Sequence, residues 1–264
     1  MDYKTLEGSF TLGYERKRTT KQLGKFGVGG TLGCLNMASE KLTITRDKSG
    51  KILARKYDLQ QVKKKDCWGT TPLTVTEEME FLFNSYMGEK GTGTVITLSR
   101  FDRRSFSLLK SNLVKRLTNY CSSIYCEKIA SGDLKIFIDN QEVESKDPLY
   151  WYHPDVIKVI DEVIPGTNCR LRMVNLKNVK LARGALIDSQ GGYFFRCNRL
   201  IKGRVNNDDN WSKTWTKDPN HRWVRWGVYF DGDEDINMGV TYDKSDINPC
   251  QSMADKIQQL VNPH

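Results

Sequence analysis

The chain has 264 residues and carries 41 Lys and Arg against 32 Asp and Glu, a net charge of +9; 38% of its residues are hydrophobic and 10% aromatic. This balance suits a soluble globular chain able to bury a core, and it excludes collagen-like, coiled-coil and wholly disordered proteins. No run approaches the ~18 consecutive apolar residues of a membrane span, and the opening MDYKTLEGSF lacks a basic-then-apolar leader pattern, so no membrane contact is expected.

Residues 1–23 read as irregular and basic, with Arg16, Lys17, Arg18 and Lys21 among Thr and Gly. A glycine cluster follows, and then TLGCLNMAS, which reads as a short helix. Lys41–Asp47 and Lys51–Leu59 alternate as strands around a turn at Lys48-Ser49-Gly50. A basic stretch at Lys63, Lys64 and Lys65 precedes another strand from Thr94 to Ser99.

The texture changes near residue 103. Leu109, Leu113, Leu117, Cys121 and Ile124 follow helical spacing, which predicts one amphipathic helix over Arg104–Ile129. Leu134–Asp139 reads as a strand leading to a turn at Asn140 and Gln141, and Cys169–Lys177 as a further strand. Gly191–Ile201 reads as a hairpin turning near Asn198. Arg204–Arg225 is polar and rich in tryptophan, and reads as a long loop before the strand RWGVYFDG. The closing helix is predicted with Asn248 as N-cap, Pro249 at its first position, and Met253, Ile257, Leu260 and Val261 on one face.

Seven cysteines, none in a C-x-x-C pair, argue for reduced thiols in a cytoplasmic compartment rather than a disulfide framework or a zinc site. The three histidines stand far apart with no Ser or Cys motif beside them, which gives a catalytic triad no support.

The stretch richest in chemistry is GKFGVGG: Gly24, Lys25, Phe26, Gly27, Val28, Gly29 and Gly30. Glycines adopt backbone angles closed to other residues, so main-chain N–H groups can face an anion, and a helix starting just afterwards adds its dipole. The spacing fits neither a P-loop nor a dinucleotide-binding turn, and by itself it fits a phosphate site or a plain flexible turn.

GKFGVGG with the small-residue helix and the strand KLTITRDKSGK resembles the lid-side glycine motif of the GHKL superfamily, the gyrase, heat-shock-chaperone, histidine-kinase and MutL-like ATPases with the Bergerat fold. GTGTVITLS resembles its downstream G-T-x-[IV] element, with Gly93 and Thr94 in the matching places. DLKIFIDNQEVESKDPL, YFFRCNRLI and VYFDGDEDINMGVTYDKSDINP resemble, in order, segments of the transducer domain in Microrchidia-like and related prokaryotic or phage members. The resemblance implies an α+β protein in two parts. Residues 1–103 are then the C-terminal part of a Bergerat-type α/β sandwich, and 104–264 a transducer-like domain of the ribosomal-protein-like βαβ type.

The same resemblance implies roles. Gly24–Gly30 wrap the phosphates of ATP, with Lys25 close to them, and Thr94 lies near the adenine-side strand. Lys244 matches the transducer lysine that reaches the γ-phosphate, a task suited to a flexible point charge; as a bare residue it reads equally as a solvated turn lysine. Arg196 and Arg199 are expected to pair with acids in the sheet, and DGDED (Asp231–Asp235) to form a turn rather than a metal site.

One departure bears on activity. The family's helix with a Glu for water and an Asn for Mg²⁺, and the Asp of its Asp-x-Gly-x-Gly motif, have no counterpart in this sequence, whose Met1-Asp2 aligns with the end of that motif. ATP hydrolysis, with Mg²⁺, is therefore expected only if an N-terminal fragment or a partner chain supplies those groups, a homodimer being the other assembly expected. A late start, a split product and a degenerate domain all fit. A competing expectation is a non-catalytic basic module that binds nucleic acid or a protein partner through the loop 204–226, where Trp211, Lys213, Trp215, Lys217, Trp223 and Arg225 interleave aromatic and basic side chains as a platform for single-stranded nucleic acid does; the same pattern fits a loop docking its tryptophans on its own domain.

Overall fold

The computed structural model describes residues 1–11, 13–14, 19, 29–66, 70–101, 110–205, 209, 219–241 and 244–262. They fall into two compact units: the described residues of Met1–Lys17 and Gly24–Leu108 form the first, and those of Leu109–His264, with Thr19, the second. Both helices and sheets are present, so the protein is α+β. No helix among the described residues is long and apolar enough to cross a membrane.

The first unit opens with a helix where an irregular segment is expected. Asp2 accepts from the Thr5 backbone N–H at 2.7 Å and so caps α1 (Tyr3–Gly8), whose Leu6 is buried with Phe10 and Tyr57. α2 (Gly29–Met37) leads directly into β1 (Ala38–Arg46). Strand β2 (Ile52–Asp58) returns antiparallel across the expected turn, in which Asp47 Oδ1 accepts from the Ser49 and Lys51 backbone N–H groups. The basic run lies at the C-terminal end of α3 (Leu59–Lys65), exposed, where lysines complement the helix dipole. Then come β3 (Thr71–Leu73), α4 (Glu77–Met87) and β4 (Gly93–Phe101).

The sheet order is β3-β2-β1-β4, antiparallel throughout. Alternation along the strands builds two separate cores. Ile44 and Ala54 bury against Phe83 of α4 on one face; Leu53 and Tyr57 pack with Leu6, Phe10, Cys34 and Leu35 on the other.

In the second unit the long predicted helix is broken. α5 (Lys110–Ile124) stops at Tyr125 and α6 (Cys126–Ala130) follows, with 104–109 outside the described residues. The predicted Leu134–Asp139 strand shrinks to a small hairpin, β5 (Phe137–Ile138) and β6 (Gln141–Glu142), turning through Asp139 and Asn140 at φ 51° and 64°. The main sheet is built from β7 (Ile157–Val163), β8 (Arg170–Asn175), β9 (Gly191–Arg196), β10 (Arg199–Val205) and β11 (Val224–Phe230). α7 (Arg183–Asp188) precedes β9, and α8 (Gln251–Val261) closes the chain.

Its order is β10-β9-β11-β8-β7, with β9 and β11 parallel and the other pairs antiparallel. Among the described residues, β10 and a single 3₁₀ turn lie between the two parallel strands. β9 turns into β10 at Cys197 and Asn198, φ 48° and 58°, as the sequence predicts. Phe194, Trp226, Val228 and Phe230 face α8, where Met253, Ile257 and Val261 are buried as expected. Tyr193, Phe195 and Tyr229 face the other way, onto Cys126, Leu149, Trp151 and Leu186. The cap of α8 differs from expectation: Cys250 holds the N-cap position, while the Asn248 N–H is held by the Met238 and Gly239 carbonyls.

Candidate functional site

A cleft of about 570 Å³ lies where β1 ends and β4 begins, lined by Met1, Asp2, Thr5, the Arg46–Ser49 turn and Thr92–Thr94. Its centre is set by strand register. Thr45 and Thr94 are cross-strand partners, so their side chains share one face of the sheet. Thr45 Oγ1 stands 2.8 Å from the Met1 nitrogen, 2.8 Å from the Gly93 carbonyl and 3.1 Å from Thr94 Oγ1. A hydroxyl has one proton, and Thr45 spends its own on the Gly93 carbonyl. It therefore accepts from both Met1 and Thr94, and the Thr94 hydroxyl keeps its lone pairs as acceptors.

The charged groups around this cleft serve mainly to hold it. Arg46 is buried across the Phe83 ring; Nη1 donates to the Gly88 and Glu89 carbonyls at 3.1 and 2.5 Å, and Nη2 to Asn84 Oδ1 at 2.7 Å. It thereby ties the C-terminal end of α4 to the sheet. Asp47 accepts from the Ser49 hydroxyl at 2.6 Å, and this bond holds its carboxyl below the usual range.

Thr94 is thus brought to the cleft. Gly29 and Gly30 form the exposed first turn of α2, with open space where a Cβ would stand. Gly24, Lys25, Phe26, Gly27 and Val28 lie outside the described residues. Lys244 belongs to the second unit, in a turn where its backbone adopts φ 57° and its N–H donates to the Thr241 carbonyl at 2.9 Å.

Of the tryptophan-rich segment, Trp211, Lys213, Trp215 and Lys217 lie outside the described residues. Trp223 is half-buried against the second core, with the Arg222 guanidinium 4.8 Å over its ring. Arg225 corrects the expectation of a surface contact, because it is fully buried. Its Nη1 donates to the Arg222 and Val224 carbonyls at 2.9 and 2.7 Å, and its Nη2 to the Leu186 carbonyl at 2.6 Å and Ser189 Oγ at 2.8 Å. Burial brings this guanidinium down to about 10. A side chain so enclosed is a cap for α7, unavailable to a polyanion.

The second unit also holds a polar cluster that sequence patterning misses. Tyr229 donates to Glu127 Oε1 at 2.7 Å, and the Arg172 guanidinium lies between the Trp151 and Tyr229 rings at 4.6 and 4.7 Å. Burial, with Glu127 alongside, pushes the Tyr229 phenol well up, so it remains a donor. Glu127 and Tyr229 are 102 residues apart in sequence, and no local pattern joins them. No group of three or more His, Cys, Asp or Glu able to hold a metal occurs among the described residues, and their six cysteines are all free thiols. Comparison with protein-family models and with curated proteins gives no match.

Proposed function

We propose that this chain is an ATP-binding module derived from the GHKL ATPases, with the cleft between Met1, Asp2 and Thr94 as its adenine end. One observation carries the reading: the G-T-x-I element and the residue aligned with the close of the family's first nucleotide motif converge on Thr45, leaving Thr94 with acceptor lone pairs beside a cleft of about 570 Å³. An adenine amino group is a donor and needs such an acceptor. The glycine cluster and Lys25 are the phosphate-side candidates in this proposal. No acidic cluster able to hold Mg²⁺ occurs among the described residues, and the proposal is one of nucleotide binding.

Isothermal titration calorimetry of the full chain tests it. ATP with Mg²⁺ is expected to bind saturably, GTP at least tenfold more weakly, and Thr94→Val to weaken ATP about tenfold, roughly 1.4 kcal/mol, while Thr94→Ser retains it. Lys25→Glu and Gly27→Asp are expected to weaken ATP more than adenosine. Absence of saturable heat with both ATP and adenosine overturns the proposal.

A further inference from the structure

The two main sheets end in four edge strands, β3 and β4 in the first unit and β10 and β7 in the second. An edge strand turns half of its N–H and C=O groups away from its neighbour, so proteins blunt such strands to keep other chains from adding to them. Three of the four are blunted. β3 has only three residues and centres on Pro72, which lacks an N–H. β10 carries Arg199, Lys202 and Arg204 and slips register twice against β9. β7 carries Lys158, Asp161 and Glu162 and slips once against β8.

β4 has none of these devices. From Gly93 to Ser99 it pairs with β1 residue for residue, Gly93 opposite Arg46 and Ser99 opposite Glu40, without a proline or a charged side chain. This stretch, GTVITLS, is rich in the β-branched residues that favour strands. The first charge beyond it, Arg100, reaches back across the sheet to Asp58 at 3.0 Å and Glu40 at 3.5 Å. Among the described residues, 94–100 make no backbone hydrogen bond outside the β1 ladder. Ile96 is 53% exposed, and Thr97 beside it is exposed as well. The strand is therefore long, regular, uncharged and open along its outer edge.

The absence of charge also selects what can add to it. An acidic or basic segment finds no countercharge between Gly93 and Ser99 and loses hydration on docking there. Two copies of a chain with a net charge of +9 repel one another at long range, but this stretch sets no like charges face to face. Antiparallel pairing of β4 with itself about a twofold axis through Ile96 puts Gly93 opposite Ser99, Thr94 opposite Leu98 and Val95 opposite Thr97. Residues two apart share a face of a strand, so the members of each pair lie on the same face, and Ile96 meets its own copy. We propose that the outer edge of β4 is a self-association site, where a second copy of this chain adds antiparallel about Ile96 and joins two four-stranded sheets into one. The bonds are made by main-chain groups, so the Thr94 side chain keeps its place beside Thr45.

Sedimentation of the full chain from roughly 10 to roughly 300 µM tests this, a range suited to a small interface. The weight-average mass is expected to rise from 30.4 kDa towards twice that value. Hydrogen exchange of the 93–99 amides is expected to slow about threefold or more between the ends of the range, with no change in 157–163 of β7. Ile96→Lys sets two like charges at the axis and is expected to hold the mass at the monomer value throughout. Val159→Lys, on the β7 edge, is expected to dimerise as the wild type does. A monomer mass across the whole range overturns the proposal. So does a dimer that survives Ile96→Lys, is lost in Val159→Lys or leaves the 93–99 amides unslowed. A mass that rises past the dimer overturns the closed twofold pairing. The exchange measurement is made on the wild-type chain and stands even if Ile96→Lys fails to fold, and none of these readouts depends on nucleotide binding.

Discussion

Arg196 and Asp235 meet as a two-point ion pair inside the second unit, Nε to Oδ1 at 2.5 Å and Nη2 to Oδ2 at 3.0 Å, with side chains 2% and 6% exposed. The pair joins the end of β9 to the turn after β11, two segments that the parallel β9–β11 register already sets side by side. Charges this deeply buried depend on their paired bonds, and removing the Asp235 carboxylate takes two of them from Arg196. Asp235→Ala is therefore expected to cost about 3–5 kcal/mol in the second unit's unfolding transition, measured by chemical denaturation. Arg196→Met with Asp235→Leu is expected to recover most of that loss. A double variant as unstable as the single one contradicts this account.

The same residues show how far the sequence is legible. A pairing of Arg196 with an acid in the sheet follows from an arginine on a strand with acids nearby, and the DGDED segment supplies the partner as a turn. The hairpins β1–β2 and β9–β10 and helix α8 are legible for the same reason, since alternation, turn residues and helical spacing act over a few positions. α1 escapes because six residues are too few to show a period, and its burial depends on Phe10 and Tyr57. β7 escapes because it is an edge strand, exposed at all positions but Ile160. Arg225 misleads for a physical reason: β11 lies in the middle of a sheet covered on both faces, so its arginine turns inward whatever its neighbours suggest. In the candidate site, Thr94 is legible from its motif, whereas Thr45 acquires its role from cross-strand register alone.

Asp147 gives the second unit a distinctive response to pH. Its two oxygens accept from the Leu149 and Trp151 backbone N–H groups at 2.9 and 2.6 Å, yet burial, and then Glu127 nearby, push its carboxyl up from 3.8 to about 6. A carboxyl raised on folding holds its proton more tightly in the native state. Its contribution to stability is therefore complete below the unfolded value and lost as pH rises through about 6. At about 1.4 kcal/mol per pH unit, the loss reaches at most about 3 kcal/mol. Asp161, held low by Arg170, acts in the opposite sense, giving up its contribution as the solution becomes more acidic. The difference between wild type and Asp147→Asn isolates the first group: the wild-type melting temperature is expected to fall relative to the variant between pH 4 and 6.5. A constant offset across that window refutes the assignment.

Trp226 is 1% exposed, packs edge-on to Phe194 at 5.6 Å between ring centroids, and lies directly over Gly192, its neighbour on β9. A Cβ added to Gly192 meets the indole ring at 2.2 Å, well inside van der Waals contact. Gly192 thus gives the ring its space, in a core too dense for the indole to move aside. Gly192→Ala is expected to destabilise the second unit by about 1–3 kcal/mol through overpacking, read from denaturation with the near-ultraviolet dichroism of the tryptophans as a check on local packing. Trp226→Phe alone loses packing area and also destabilises. With Gly192→Ala it is expected to cost less than the two single effects added together, because the smaller ring relieves the clash. Strict additivity of the two substitutions means that the glycine is not there to admit the ring.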